Sequence, residues 1–120
     1  MMKNLLGNIS EIDSNIRELE KNNSKLENGH FIQAHNSYSS LIYLLKETKI
    51  KTIKNSQNGG SSSTILEDVT FLDKLIRELE KINSKIENGN IVFAWRDNRR
   101  VLANLQTLKS DILKKAQGET

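Results

Sequence analysis

The chain has 120 residues, of which 36% are hydrophobic, 28% charged and 5% aromatic, with no proline and no cysteine. That length allows one domain, or two very small ones obliged to share a core, and the missing cysteines exclude disulfides and thiolate metal sites. A net charge of +3 and a pI near 9.2 are too mild to dictate a nucleic-acid partner.

The start, Met1-Met2-Lys3-Asn4, leads into no long apolar stretch, so no secretory leader is expected. A first helix follows. Ile9, Ile12, Ile16, Leu19, Asn23 and Leu26 step by threes and fours and set one seam along one helix face. Asp13 precedes Arg17 by one turn, an acid-before-base pair suited to an exposed face. The helix is expected to stop at Asn28-Gly29, where glycine can adopt the left-handed backbone that closes a C-terminus.

A second helix begins near Phe31, with Ala34, Tyr38, Leu41 and Leu45 in its seam and Ile42 widening the stripe. Its apolar run Leu41-Ile42-Tyr43-Leu44-Leu45 is far too short to span a bilayer, which takes roughly 20 residues. The polar tract from Asn55 to Ser63 then offers nothing to a core. Its end, Gly59-Gly60-Ser61-Ser62-Ser63, reads as a linker built to join two chains or as a natural Gly/Ser connector.

Sixty residues on, the chain starts again. IRELEKNNSKLENG at 16–29 returns as IRELEKINSKIENG at 76–89, changed only at Asn22/Ile82 and Leu26/Ile86. The third helix repeats the first seam with Val69, Leu72, Ile76, Leu79, Asn83 and Ile86, and Asp73–Arg77 repeats the charge pair. Thr64 and Glu67 have the spacing of a capping box, Asn88-Gly89 repeats the turn, and Asn90 is placed to cap the fourth helix. There the seam runs through Ile91, Ala94, Asn98, Val101, Leu105, Leu108 and Ile112, widened by Trp95 and Leu102.

One helical hairpin has a single apolar stripe per helix and cannot enclose it. The expected fold is therefore all-α, with two tandem hairpins, 1–55 and 64–117, joined by a flexible 56–63 linker and packed as one antiparallel four-helix bundle, a single-chain pseudo-dimer. A tract of this length reaches on the order of 15–25 Å, which leaves the relative orientation of the hairpins open. Asn23, Asn83 and Asn98 fall on the seams, where an amide disfavours misregistered partners. Asn23 and Asn83 either form a hydrogen-bonded layer or reach out to water.

The residues offer no constellation for chemistry. His30 and His35 stand five apart, on different helix faces, with no carboxylate or thiolate spaced to complete a metal site. There is no serine elbow, no lysine–serine dyad, and Gly59-Gly60 leads only to serines instead of a phosphate-loop lysine. No catalytic residue, metal or cofactor is expected, and the chain is not expected to be an enzyme. Lysines near the ends of the second helices, Lys46, Lys49, Lys51 and Lys54 then Lys109, Lys114 and Lys115, complement the negative C-terminal end of a helix.

Arg96, Arg99 and Arg100 share one helix face beside Trp95, where the first unit has Asn36, Ser39, Ser40 and His35. Arginine forks suit phosphates and carboxylates, although a solvated face with Asp97 nearby has the same pattern. Together with Arg17, Lys21, Arg77 and Lys81 they form the candidate binding surface. The first helices are nearly identical while HNSYSSLIY has diverged from WRDNRRVLA, a hint that something holds the former or drives the latter. The leading expectation is a cytoplasmic, non-enzymatic interaction or regulatory protein that binds or assembles with another protein, natively a homo- or heterodimer of hairpins or a fusion of one. The alternative is an RNA-binding regulator of the helical-hairpin dimer type, an architectural analogy without a shared motif. No membrane partner is expected.

Overall fold

The computed structural model describes the backbone of residues 2–57 and 62–118 and the side chains of 9–54 and 67–114. Four α-helices account for it: α1 (Met2–Glu27), α2 (Phe31–Gln57), α3 (Ser62–Glu87) and α4 (Ile91–Gly118). Both α2 and α3 reach further into the polar tract than its composition suggests, since Ser56, Gln57, Ser62 and Ser63 are all helical. Thr64 accordingly lies inside the first turn of α3 and does not precede it as a cap. The rest of the expected linker, 58–61, lies outside the described residues.

The two Asn-Gly turns are geometrically the same. Gly29 and Gly89 sit at φ +80° and +78°. In the first turn Gly29 N–H donates to the Leu26 carbonyl at 3.4 Å and His30 N–H to that of Lys25 at 2.8 Å. In the second, Gly89 donates to Ile86 at 3.1 Å and Asn90 to Lys85 at 2.8 Å. This pair of bonds satisfies the last carbonyls of α1 and α3 and is the reason glycine stands there. The carbonyls of His30 and Asn90 then accept from Ala34 and Ala94, each at 3.0 Å, and start α2 and α4.

Cross-helix pairs give the topology. Asp13 meets Lys109 at 2.6 Å near one end and Glu27 meets Trp95 at 3.1 Å near the other, so α1 and α4 run antiparallel. Lys49 with Asp73 at 2.5 Å and His35 with Glu87 at 2.8 Å make α2 and α3 antiparallel too. The helices close a ring α1–α2–α3–α4, with α1 opposite α3 and α2 opposite α4 on its diagonals. The hairpins therefore stand side by side with both Asn-Gly turns at one end, in a rod 44 × 30 × 16 Å. Each pair above maps onto the other by adding or subtracting sixty, so a pseudo-two-fold axis runs along the bundle.

Helix spacing explains what lies inside. Ile12, Ile16, Leu19 and Leu26 from α1, with Leu72, Leu75, Ile76, Leu79, Ile82 and Ile86 from α3, are buried. They meet Ala34, Tyr38, Leu41, Ile42 and Leu45 of α2 and Ala94, Val101 and Leu105 of α4. The small Ala34 and Ala94, both fully buried, lie next to the turns, where the helices of each hairpin converge. Each helix has two neighbours, so the buried stripe is wider than a two-stranded seam.

That width corrects the asparagine reading. Asn22 is fully buried while Asn23 is half-buried, and no Asn23–Asn83 layer forms: Asn83 Nδ2 donates instead to Ser39 Oγ at 3.1 Å. With α1 and α3 on a diagonal, amides on those two helices turn toward their neighbours instead of each other. The expected Asp13–Arg17 and Asp73–Arg77 pairs are also replaced. Both carboxylates reach across to Lys109 and Lys49, and Arg77 Nε donates to the Asp73 carbonyl at 3.4 Å.

Candidate interaction surface

Trp95 and the three arginines near the start of α4 divide into two groups. Trp95 is half-buried with Nε1–H donating to Glu27 Oε2 at 3.1 Å, and the Arg99 guanidinium lies over its ring, 5.0 Å from the centroid. A cation over an indole face is worth about 0.5–1 kcal/mol when exposed, so this contact holds Arg99 against α4. Arg100 turns the other way, its Nη2 2.6 Å from Asp97 Oδ1. Lys85 of α3 grips the second oxygen of the same buried carboxylate. Arg96 is exposed between the two groups.

The other four cations lie on the two helices that flank α4. Arg17 and Lys21 are exposed on the outer side of α1, with Lys21 Nζ 3.5 Å from Glu18, and Arg77 and Lys81 are exposed on that of α3. Because α1 and α3 occupy opposite corners of the ring, these pairs point in opposite directions. The candidate surface is thus one compact patch of Trp95, Arg96 and Arg99, with Arg100 at its edge. The remaining members stand on α1 and α3, the two helices that flank α4 in the ring.

Of the seam asparagines, Asn98 is fully buried and carries two hydrogen bonds. Its Oδ1 accepts from the Tyr38 hydroxyl and its Nδ2 donates to the Leu19 carbonyl at 3.1 Å. Burial raises the Tyr38 phenol far above its ordinary pKa, which keeps it a proton donor. Asn83 bonds Ser39, and its Oδ1 and that of Asn23 lack a partner among the described residues. Of the two histidines, His30 is exposed at its turn and His35 Nε2 rests 2.8 Å from Glu87 Oε1. No grouping of three His, Cys, Asp or Glu that could hold a metal occurs among the described residues.

Two features went unread in the sequence. The first is an apolar row on the side of α2 that leans toward α3: Ile32, Tyr43 and Ile50 are 80%, 62% and 53% exposed. They stand eleven and seven residues apart, which returns a helix to the same face. The cations alongside are already engaged, Lys46 with Glu80 at 3.2 Å and Lys49 with Asp73. Glu47, one turn after Tyr43, raises the pKa of that phenol through a hydrogen bond to it. The spacing was legible, but a second apolar stripe on a helix that already has one reads as a widened core.

The second is a pair of equivalent grooves. One of about 390 Å³ opens between α1 and α2, with Glu11, Asn15, Glu18, Leu41, Leu44 and Thr48 among its walls. Its counterpart between α3 and α4, about 290 Å³, has Phe71, Leu75, Glu78, Val101, Asn104 and Leu108 at the matching positions. No helix among the described residues is long and apolar enough to cross a membrane. Comparison of the chain with protein-family models, with curated proteins and with solved structures finds no match.

Proposed function

We propose that the chain is a non-enzymatic helical-bundle protein that binds another protein, through an apolar helix laid along the exposed Ile32–Tyr43–Ile50 row of α2. The row supports this reading because its two-fold counterpart on α4, Val92, Ala103 and Ser110, carries less apolar surface. A face that is apolar in one hairpin and less so in the other suits a contact made by that hairpin alone. A helix is the fitting occupant because equal helical spacing puts its own apolar residues in register with the row. A polyanion or an anionic lipid surface is a poorer fit, since Lys46 and Lys49 beside the row are neutralised by Glu80 and Asp73.

A nucleic-acid reading rests on Trp95, Arg96 and Arg99 and remains the alternative. Its cations are divided among three helices, because Arg17 and Lys21 stand on α1 and Arg77 and Lys81 on α3. The two readings separate in one experiment. Tagged wild-type chain, Tyr43→Glu/Ile50→Glu and Arg96→Ala/Arg99→Ala are compared for stoichiometric capture of one protein and for RNA and DNA binding at low salt. The protein reading expects capture by the wild type and the arginine variant and its loss in the Tyr43/Ile50 variant. Nucleic-acid affinity that falls steeply with salt and disappears with the arginines would replace it.

A further inference from the structure

The six largest fully buried side chains form three pairs related by the pseudo-two-fold: Leu19/Leu79, Asn22/Ile82 and Tyr38/Asn98. The first pair is symmetric. The other two are not, and of these the Tyr38/Asn98 pair lies where the hairpins meet. Hairpin 1 brings Asn22 and Tyr38, and hairpin 2 brings Ile82 and Asn98. Tyr38 and Asn98 are two-fold mates that touch each other, which places both beside the axis. A residue on such an axis meets its own counterpart, so this is where like and unlike hairpins differ most.

We propose that each hairpin presents a recognition surface for a hairpin of the other kind, and that the Tyr38–Asn98 pair on the axis selects it against a like hairpin. Asn98 of hairpin 2 is satisfied wholly by hairpin 1: the Tyr38 hydroxyl of α2 donates to its Oδ1, and the Leu19 carbonyl of α1 accepts from its Nδ2. Two copies of hairpin 1 would set two phenols against the axis, in space that now holds one phenol and one amide, and overfilled cores are destabilised. Two copies of hairpin 2 would set two amides there, leaving a cavity where the ring was and removing the phenol donor. One large and one small side chain fill the waist; neither like combination does. Lys85 of hairpin 2 is likewise committed to Asp97 of its own hairpin, whereas the equivalents Lys25 and Ser37 cannot form that ion pair, so the hairpins differ in chemistry away from the axis as well.

The selection is testable in the full chain by exchanging the axial residues. Asn98→Tyr mimics the like pairing of hairpin 1 at the axis, and Tyr38→Asn that of hairpin 2. Each is expected to lower the folding equilibrium constant at least about ten-fold in urea titrations, a cost of about 1.4 kcal/mol. The exchange Tyr38→Asn/Asn98→Tyr restores one phenol and one amide and, by the two-fold, lets the new Asn reach the Leu79 carbonyl. It is expected to return to within about three-fold of the wild type. A second exchange that also carries Asn22→Ile and Ile82→Asn moves the whole waist layer, and recovery in either exchange supports the proposal. Losses in both exchanges that equal or exceed the product of the single losses would overturn it, because side chains that merely fill their own local space have no reason to compensate.

Discussion

The two hairpins share a backbone plan and differ in what fills the space between their own helices. Hairpin 2 joins α3 to α4 more extensively than hairpin 1 joins α1 to α2. The reason is visible at four equivalent positions, where hairpin 2 has Phe71, Leu75, Ile82 and Leu108 and hairpin 1 has Glu11, Asn15, Asn22 and Thr48. Between the hairpins, by contrast, the pairs keep their symmetry: Asp13–Lys109 answers Asp73–Lys49, and Glu27–Trp95 answers Glu87–His35. Contacts between the hairpins therefore keep a common register, while the filling within hairpin 1 is the more polar of the two. The bundle depends on each hairpin finding the other more than on its own two helices.

The sharpest way to break the comparison is at Asn22 and Ile82. Both are fully buried, and neither atom of the Asn22 amide has a partner among the described residues. A buried polar group without a hydrogen bond costs about 1–3 kcal/mol. Asn22→Ile is expected to stabilise the chain by about 1–2 kcal/mol, and Ile82→Asn to destabilise it by about 3 kcal/mol through lost apolar burial and a new orphan amide. Urea denaturation of both variants checks this, and a destabilised Asn22→Ile would mean that the amide is used.

The turns should behave alike. An added Cβ at Gly29 or Gly89 meets nothing within 4 Å, so only the left-handed backbone resists it. Gly29→Ala and Gly89→Ala are each expected to lose about 1–2 kcal/mol, and unequal denaturation midpoints would show that one turn can relax where the other cannot.

The smallest effect concerns the groove of hairpin 1. Burial, with a contribution from the charge of Asp68, raises the Glu11 carboxyl above its ordinary value of 4.5. The folded chain then holds this proton more readily than the unfolded one, so stability falls as pH rises from that value through the raised one. Glu11→Gln is expected to remove this fall and to match the wild type at lower pH, where both states are protonated. Unfolding midpoints followed from about pH 3 to about pH 7 read this out. Phe71, the counterpart, carries no such titration.

Much of this was legible in the order of residues. The repeat, the apolar period and the Asn-Gly turns all announce two helical hairpins, and the buried positions Ala34, Tyr38, Leu41, Ala94, Asn98 and Val101 fall where the spacing places them. The signal for Asn22 was present in Ile82, its apolar equivalent, but a narrow seam passes through Asn23 instead. The candidate surface was less legible. Arg96, Arg99 and Arg100 do share a helix, yet Asp97 draws Arg100 aside, and Arg17 and Arg77 are separated by the width of the rod.

Local spacing alone determined the four helices, their two glycine-closed turns and the apolar face of each, because hydrogen bonds four residues apart and the handedness of the backbone act within a few residues. The assembly decided the rest: the side-by-side hairpins, the choice of Lys109 and Lys49 over Arg17 and Arg77, and the satisfaction of Asn98 by Tyr38 and Leu19. Each of these joins residues tens of positions apart, and which long side chain reaches which is settled by the distance between packed helices, a quantity that no single helix carries in its own sequence.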